Sequence, residues 1–277
     1  MGQPDFLVVG HVSKDLTNGG HRAGGTAIYS ALTARNLGRR VAVVTSAGRD
    51  LDLGQFLEGV EMVCVPSPVT TTFRNVYTEG ARRQRLYALA ERIKTEDVPL
   101  AWRTAPIVLL GPIVGELEGD MIDQFPSSLL GVTPQGWLRE WDEEGSVLPR
   151  RWSDADRLLT RLDVLIVSEE DLAGEAGTLR PKLGIPKISV LTQGAKGATL
   201  YCQGRRSHFP VRQTTALDPT GAGDIFAAAF LVRLAETDDP AEATRFANVA
   251  ASLSVEKAGL SSVPTRAEIE AAMTNRR

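Results

Sequence analysis

The chain has 277 residues, of which 43% are hydrophobic, so it is long enough for one large domain with a substantial core. A formal charge of -3 at pH 7 and an isoelectric point near 5.8 argue against the basic face that a nucleic-acid partner requires. The two cysteines lack disulfide or zinc-site spacing, and the sequence has neither a leader pattern nor a long apolar run, so we expect a cytoplasmic protein without a membrane partner.

Short apolar runs that end in glycine or a polar residue recur along the chain and predict buried strands of a parallel sheet. These runs lie at Phe6–Val9, 41–44, Ile107–Leu110, 164–167 and 188–191. Helical spacing of apolar residues predicts a helix over 26–37, with Gly38 as its C-terminal cap. The alternation predicts an α/β fold, a doubly wound and mainly parallel sheet flanked by helices, in one domain over 1–277.

Three polar residues follow predicted strands at positions where such sheets bind ligands. Asp15, Ser168 and Thr192 lie at or shortly after strand ends. Ligands of doubly wound sheets gather at the carboxyl ends of the strands. We therefore treat these residues as candidate binding residues.

The segment 70–89 does not follow the alternation of buried strands and helices. Two β-rich arms surround the turn at 78–81, which predicts a hairpin outside the main sheet. Its arginines either line a solvated face or help to neutralise a phosphate; they are Arg74, Arg82, Arg83 and Arg85.

The segment 216–235, ALDPTGAGDIFAAAFLVRLA, carries the strongest chemical indication. The small residues Gly221, Ala222 and Gly223 open an apolar helix, so their N–H groups can approach an anion at the positive end of the helix dipole. Asp224 follows at once, and it is either a general base for phosphoryl transfer or a helix cap.

The run DPTGAGDIFAAAFL resembles the C-terminal signature of the ribokinase/PfkB carbohydrate kinases. The resemblance implies a ribokinase-like fold and ATP as the phosphoryl donor. It implies that Asp224 is the catalytic base, and that the amides of Gly221, Ala222 and Gly223 stabilise the transferring phosphate.

The N-terminal region resembles the substrate side of the same family. Gly10 and Asp15 fit its G-x-x-x-x-D pattern, Gly24-Gly25 and Gly48 fit its glycine signature, and Tyr29 stands where an asparagine is usual. The resemblance implies that Asp15, Gly24 and Gly25 bind the sugar and that Tyr29 replaces a sugar contact.

The hairpin fits the family's lid. The resemblance implies a small β lid from about 14–22 and 70–89, with Asn75 or Tyr87 reaching the ligand and with pairing of two lids in a homodimer.

Two further stretches resemble the nucleotide side of the family. Thr192, Gly194 and Gly197 fit T-x-G-x-x-G, and Ser168 with Asp171 takes the place of N-x-x-E, which implies ATP contacts and a magnesium ion held through water by Asp171 or Glu170. By themselves, TQGAKG is also typical of a hairpin turn and SEED of a helix start.

The tail also resembles this family. Asn248 fits a contact on the adenine side. Asp218, Gly259 and Ser262 fall where some relatives bind a monovalent cation such as K⁺.

These patterns together predict an ATP-dependent kinase that phosphorylates a hydroxyl of a small sugar or cyclitol, and GGTAIYSAL resembles the inositol-kinase-like branch. A nucleoside kinase is one alternative. A non-catalytic sugar- or nucleotide-binding regulator is another, since Tyr29, Ser168 and Asp171 depart from the family pattern. The chain lacks a GxxxxGK[ST] P-loop and has no GxGxxG after its first strand.

Overall fold

A computed structural model describes residues 2–78, 81–172 and 178–274. The strands in these ranges are β1 (Phe6–Val9), β2 (Ser13–Thr17), β3 (Gly20–Gly24), β4 (Val41–Ala47), β5 (Glu61–Pro66), β6 (Thr72–Thr78), β7 (Ala81–Ala88), β8 (Ile107–Leu110), β9 (Leu129–Val132), β10 (Arg139–Trp141), β11 (Val147–Pro149), β12 (Val164–Ser168), β13 (Ile188–Thr192), β14 (Ala198–Cys202) and β15 (Arg205–Phe209). The helices are α1 (Thr26–Asn36), α2 (Ala155–Leu159), α3 (Ala222–Thr237), α4 (Pro240–Ser254) and α5 (Arg266–Thr274). Within the described ranges, no helix is both long and apolar enough to cross a bilayer.

Nine of the strands in the described ranges form the main sheet, in the order β15-β14-β13-β12-β9-β8-β1-β4-β5. All neighbours pair in parallel except β13 with β14 and β14 with β15. The predicted fold class, a mainly parallel doubly wound α/β sheet, is confirmed.

Alternate residues of the central strands enter two separate apolar layers. On β1, Phe6 and Val8 pack towards α1, α3, α4 and α5, whereas Leu7 and Val9 pack towards α2 and the buried Trp102. Since successive strand residues point to opposite faces, an uninterrupted apolar strand is stable only between two such layers.

The predicted hairpin belongs to a second, four-stranded sheet of order β3-β2-β6-β7, which we call the lid. β6 pairs antiparallel with β7, and β2 pairs parallel with β6. Residues 79 and 80 of the predicted turn lie outside the described residues. Arg74 and Arg85 are exposed, as expected for a solvated face.

The carboxyl ends of β1, β12 and β13 lie along one edge of the main sheet, which brings the segments after Gly10, Ser168 and Thr192 together. The backbones of Gly10 and Gly111 approach so closely there that a Cβ on Gly10 would fall 2.4 Å from the Gly111 carbonyl oxygen. The lid meets the main sheet at this edge.

A buried polar network holds this junction. The carboxylate of Glu116, only 1% exposed, accepts hydrogen bonds from the N–H groups of His11, Ile113 and Val114 at 2.8–3.0 Å. The His11 ring donates from Nε2 to the Glu91 carbonyl oxygen at 2.8 Å. Its Nδ1 therefore accepts from the Thr71 hydroxyl, also at 2.8 Å. The network ties together the segments that enter and leave the lid.

The Glu116→Gln substitution should lower the free energy of unfolding by about 2 kcal/mol, because the amide nitrogen turns a donor towards buried N–H groups. Glu118→Gln is the matched control, since the Glu118 side chain is 78% exposed and its ion pair with Arg92 is long, at 3.6 Å. We expect the control to change stability by less than about 0.5 kcal/mol. Urea unfolding measures both, and equal effects would contradict the structural role of Glu116.

Candidate active site

The turn before α3 creates an anion cradle. Gly221 adopts φ +78°, and a Cβ there would lie 2.5 Å from the Tyr29 ring, so only glycine fits. The N–H of Ala222 donates to the Pro219 carbonyl oxygen at 3.2 Å. Among the described residues, the N–H groups of Gly221, Gly223 and Asp224 have no acceptor. These three amides at the positive end of α3 can bind an anion.

This arrangement changes one detail of the sequence prediction. The amide of Ala222 is used within the turn, and the amide of Asp224 takes its place in the cradle. The position of the cradle, directly before the apolar helix, is the one expected from the sequence.

The carboxyl group of Asp224 lies beside the cradle. Its Oδ1 accepts a hydrogen bond from the Thr26 hydroxyl at 2.6 Å. Burial raises the pKa of Asp224 to about 6; the Thr26 hydrogen bond lowers it, the charge of Asp171 raises it, Arg139 lowers it and Asp15 raises it. A carboxylate with this pKa is ionised at neutral pH and able to accept a proton.

The ring of Tyr29 packs directly beneath the turn that forms the cradle. It is only 2% exposed, and its ring packs against the turn at Gly221. Burial, with the charges of Asp218, Asp15 and Asp224, raises the pKa of its hydroxyl. The structure thus gives this departure from the family pattern a packing role beneath Gly221.

Three of the predicted substrate residues lie together where the lid meets α1. A Cβ on Gly24 would lie 2.6 Å from Asp15 Oδ2, and one on Gly25, with φ +88°, would lie 2.6 Å from the His11 carbonyl oxygen. Asn75 on β6 pairs with Gln84 on β7. Asp15, Gly24 and Gly25 are therefore neighbours.

Tyr87 does not join them. It is 51% exposed, and Arg85 stacks over its ring on the outer face of β7. Leu86, 9% exposed, packs on the inner face against Phe73, and Gln84, two residues earlier on β7, lies on the same face. Tyr87 therefore lies on the face of β7 opposite Leu86, and its contact with the ligand stays a prediction.

Ser168 and Thr192 end the paired strands β12 and β13 side by side. After them, Gly194 (φ +55°) and Gly197 (φ +97°) shape a tight turn, and a Cβ on Gly197 would lie 2.1 Å from the Phe209 carbonyl oxygen. Asn248 is 3% exposed and donates to that same carbonyl oxygen at 3.0 Å, so one N–H of its amide group ties α4 to β15.

Asp171 is engaged by protein groups. Its carboxylate accepts from Ser168 at 2.6 Å, Arg139 at 3.1 Å and Gln135 at 3.3 Å. Glu170 is exposed. The described residues form no group of three or more histidine, cysteine or acidic side chains suited to a metal. The carboxylates of Asp171 and Glu170 fit a magnesium ion that phosphates and water hold for the most part, since such an ion needs only one or two protein carboxylates.

Asp218 lies just before the cradle. Its Oδ1 accepts from the Thr220 N–H at 3.0 Å, and its Oδ2 accepts from Arg22 of the lid at 3.2 Å. Although burial alone would raise the pKa of Asp218, the hydrogen bonds from Thr220 and Gly259 and the charge of Arg22 hold it below its usual value. The buried hydroxyl of Ser262 has no partner among the described residues.

Sequence reasoning missed three residues of the site. Thr26 orients Asp224, Arg139 pairs with Asp171 at 3.1 Å, and Gln84 accepts from Arg139 at 2.9 Å. Only Thr26 had a sequence signal, as the first residue after the Gly24-Gly25 pair. Arg139 lies in a segment without a recognisable pattern, and Gln84 lies in the predicted hairpin without a signal of its own.

Comparison with known proteins agrees with this architecture. A family model described as pfkB family carbohydrate kinase matches residues 142–266. A ribokinase of Haemophilus influenzae is 33% identical over 267 residues, which cover 88% of this chain and 85% of the relative. Other alignments are shorter: the chain spans about a third of the length of the first curated relatives, such as 29% of a fructokinase of Klebsiella pneumoniae that is 40% identical.

One solved structure is a pyrophosphate-dependent kinase in the ribokinase family, complexed with a pyrophosphate analog and myo-inositol. It superimposes with a TM-score of 0.81 at 29% identity, over 96% of this chain and 99% of that chain. Because the ribokinase alignment runs through most of both chains and the folds agree over nearly their full length, the chain belongs to the ribokinase/PfkB family of carbohydrate kinases.

Proposed function

We propose that this chain is a kinase that transfers the terminal phosphoryl group of ATP to a hydroxyl of a small sugar or cyclitol. One observation carries the proposal: a carboxylate with a raised pKa, Asp224, lies beside three amides that have no acceptor among the described residues. A base next to an anion cradle is what phosphoryl transfer to a hydroxyl requires.

In the proposed reaction, Asp15 and the Gly24-Gly25 backbone orient the acceptor, and Asp224 accepts its proton as the hydroxyl oxygen attacks phosphorus. The amides of Gly221, Gly223 and Asp224 stabilise charge on the phosphoryl oxygens. Thr26 keeps the carboxylate aimed at the hydroxyl. Bound to the phosphates, magnesium would neutralise part of their charge, and we propose that Glu170 and Asp171 touch it through water.

The donor side is part of the same proposal. We assign nucleotide contacts to the strand ends at Ser168 and Thr192, to the turn at Gly194 and Gly197, and to α4 around Asn248. Pyrophosphate is a second candidate donor because the solved relative described above, similar over nearly the whole chain, is pyrophosphate-dependent.

Three further assignments are proposals of the same kind. Asp218, Gly259 and Ser262 would hold a monovalent cation such as K⁺, for which the buried Ser262 hydroxyl offers a ligand. The outer face of the lid, where Tyr87 is half-exposed, would pair two copies of the chain. Phosphoryl donors of this type are made and used in the cytoplasm, and we propose that the protein acts there. We also propose that residues 1–277 form a single kinase domain.

We expect donor consumption with one class of acceptor when magnesium and either ATP or pyrophosphate are offered with pentoses, hexoses, cyclitols and nucleosides. Asp224→Asn should abolish turnover, lowering kcat at least about 1,000-fold. Nucleosides as the best acceptors would favour the nucleoside-kinase alternative. Saturable sugar binding without donor consumption would favour a non-catalytic regulator.

Asp224→Asn should stay folded. The pKa of Asp224 is higher in the folded protein than in the unfolded chain, so ionisation costs stability as pH rises from 3.8 towards 6. The neutral variant should therefore be at least as stable as the parent at pH 8, which thermal unfolding checks.

The rate should depend on pH through Asp224. Because only the carboxylate accepts the proton, kcat/KM should fall about tenfold per pH unit below a midpoint near 6 and level off above it. Thr26→Val removes the hydrogen bond that lowers this pKa and should move the midpoint to higher pH. Thr26→Ser keeps the hydroxyl and should leave the midpoint in place; an unchanged midpoint in Thr26→Val would contradict the assignment.

Two glycine substitutions separate packing from chemistry in the cradle. Gly221→Ala strains a left-handed turn against Tyr29 and should destabilise the protein by about 2 kcal/mol or more. Gly223→Ala meets nothing within 4 Å and should not lower stability. Its methyl group projects beside the cradle, so kcat should fall about 10- to 100-fold. Full activity of a stable Gly223→Ala protein, measured by donor consumption, would argue against the cradle.

A further inference from the structure

Arg139, the first residue of β10, is held by hydrogen bonds to side chains from two different parts of the fold. Its guanidinium donates from Nη2 to Asp171 at 3.1 Å and from Nη1 to Gln84 at 2.9 Å, and its side chain is 21% exposed. Asp171 is itself held by Ser168 and Gln135. Partners from the main sheet and the lid thus fix the guanidinium from two sides.

The position of this cation matters because the site is rich in carboxylates. Asp15 and Asp171 both make ionisation of Asp224 harder, whereas Arg139 makes it easier. A donor brings further negative charge to the same place. Arg22, the other arginine described at the site, is occupied with Asp218 and is 56% exposed.

We propose that Arg139 binds the terminal phosphates of the donor opposite the amide cradle and stabilises the phosphoryl group during transfer. This assignment rests on the proposed kinase function. The planar guanidinium suits phosphate oxygens, and its charge compensates the charge that spreads over them as the bond to the leaving phosphate breaks and the bond to the acceptor oxygen forms. The acceptor proton goes to Asp224, and nothing is oxidised or reduced.

The same geometry assigns Asp171 a positioning role. Its carboxylate holds Arg139 in place, with Ser168 and Gln135 fixing the carboxylate in turn. The bond from Arg139 to Gln84 also links the phosphate-binding cation to the lid, so that lid position and guanidinium position depend on each other. The recognised chemistry is a terminal diphosphate, which ATP and pyrophosphate share.

The test compares the parent with Arg139→Gln, Arg139→Lys and the control Arg157→Gln, whose arginine is 49% exposed and paired with Asp120 and Asp154. Imidodiphosphate with magnesium, a non-transferable terminal diphosphate, is titrated into each protein, and kcat, the acceptor KM, its pH profile and thermal stability are measured. We expect Arg139→Gln to bind imidodiphosphate about tenfold more weakly and to lose about 100-fold or more in kcat.

Several readouts separate this role from a structural one. In Arg139→Gln the acceptor KM should stay within about threefold of the parent, the acid midpoint of kcat/KM should move to higher pH, and added guanidinium ion should restore part of the rate. Arg139→Lys should keep the midpoint while losing part of kcat. Arg157→Gln should match the parent.

Unchanged imidodiphosphate affinity in a folded Arg139→Gln protein would overturn the assignment. So would a loss confined to stability or to the acceptor KM, which would leave Arg139 as a lid contact. A parent without turnover would refute the proposed function instead, and the titration would still decide whether Arg139 binds a diphosphate.

Discussion

The left-handed turn at Gly221 is the constraint on which the site depends. Because the residue has no side chain, the backbone can turn over the ring of Tyr29 and enter α3 with three amides directed outward. The same turn places Asp224 at the last amide of the cradle, with its carboxylate 2.6 Å from the Thr26 hydroxyl. Apolar burial of α3 between the main sheet, α1 and α4 makes this geometry rigid. A single turn therefore both packs against Tyr29 and positions the amides and the carboxylate of the site.

Charge organises the surroundings of that turn. Asp15 and Asp171 join burial in opposing ionisation of Asp224, and Thr26 and Arg139 favour it, which leaves a pKa near 6. A base of this strength is ionised at neutral pH but still accepts a proton in the transition state. The lid supplies Asp15, and the segment directly after β12 of the main sheet supplies Asp171, so the electrostatic balance depends on both sheets.

Local patterns were enough for the parallel strands, the helix at 26–37, the lid hairpin and the cradle, since each is a property of neighbouring residues. Contacts across long separations were not predictable in this way. Tyr29 reaches Gly221, Thr26 reaches Asp224, and Arg139 reaches Gln84 only after the chain folds. Tyr87 is a related case, because β6 and β7 change register between the pairs of Thr72 and Phe73, and the sequence pattern did not predict this irregularity.

The most direct test of the central claim is a ³¹P NMR time course with magnesium, donor and the preferred acceptor. The account predicts that a phosphomonoester signal grows as the terminal phosphate of the donor disappears. With Asp224→Asn, the donor signals should broaden on binding, and no phosphomonoester should form. A phosphomonoester made equally fast by Asp224→Asn, or donor hydrolysis to inorganic phosphate alone in the parent, would contradict the account.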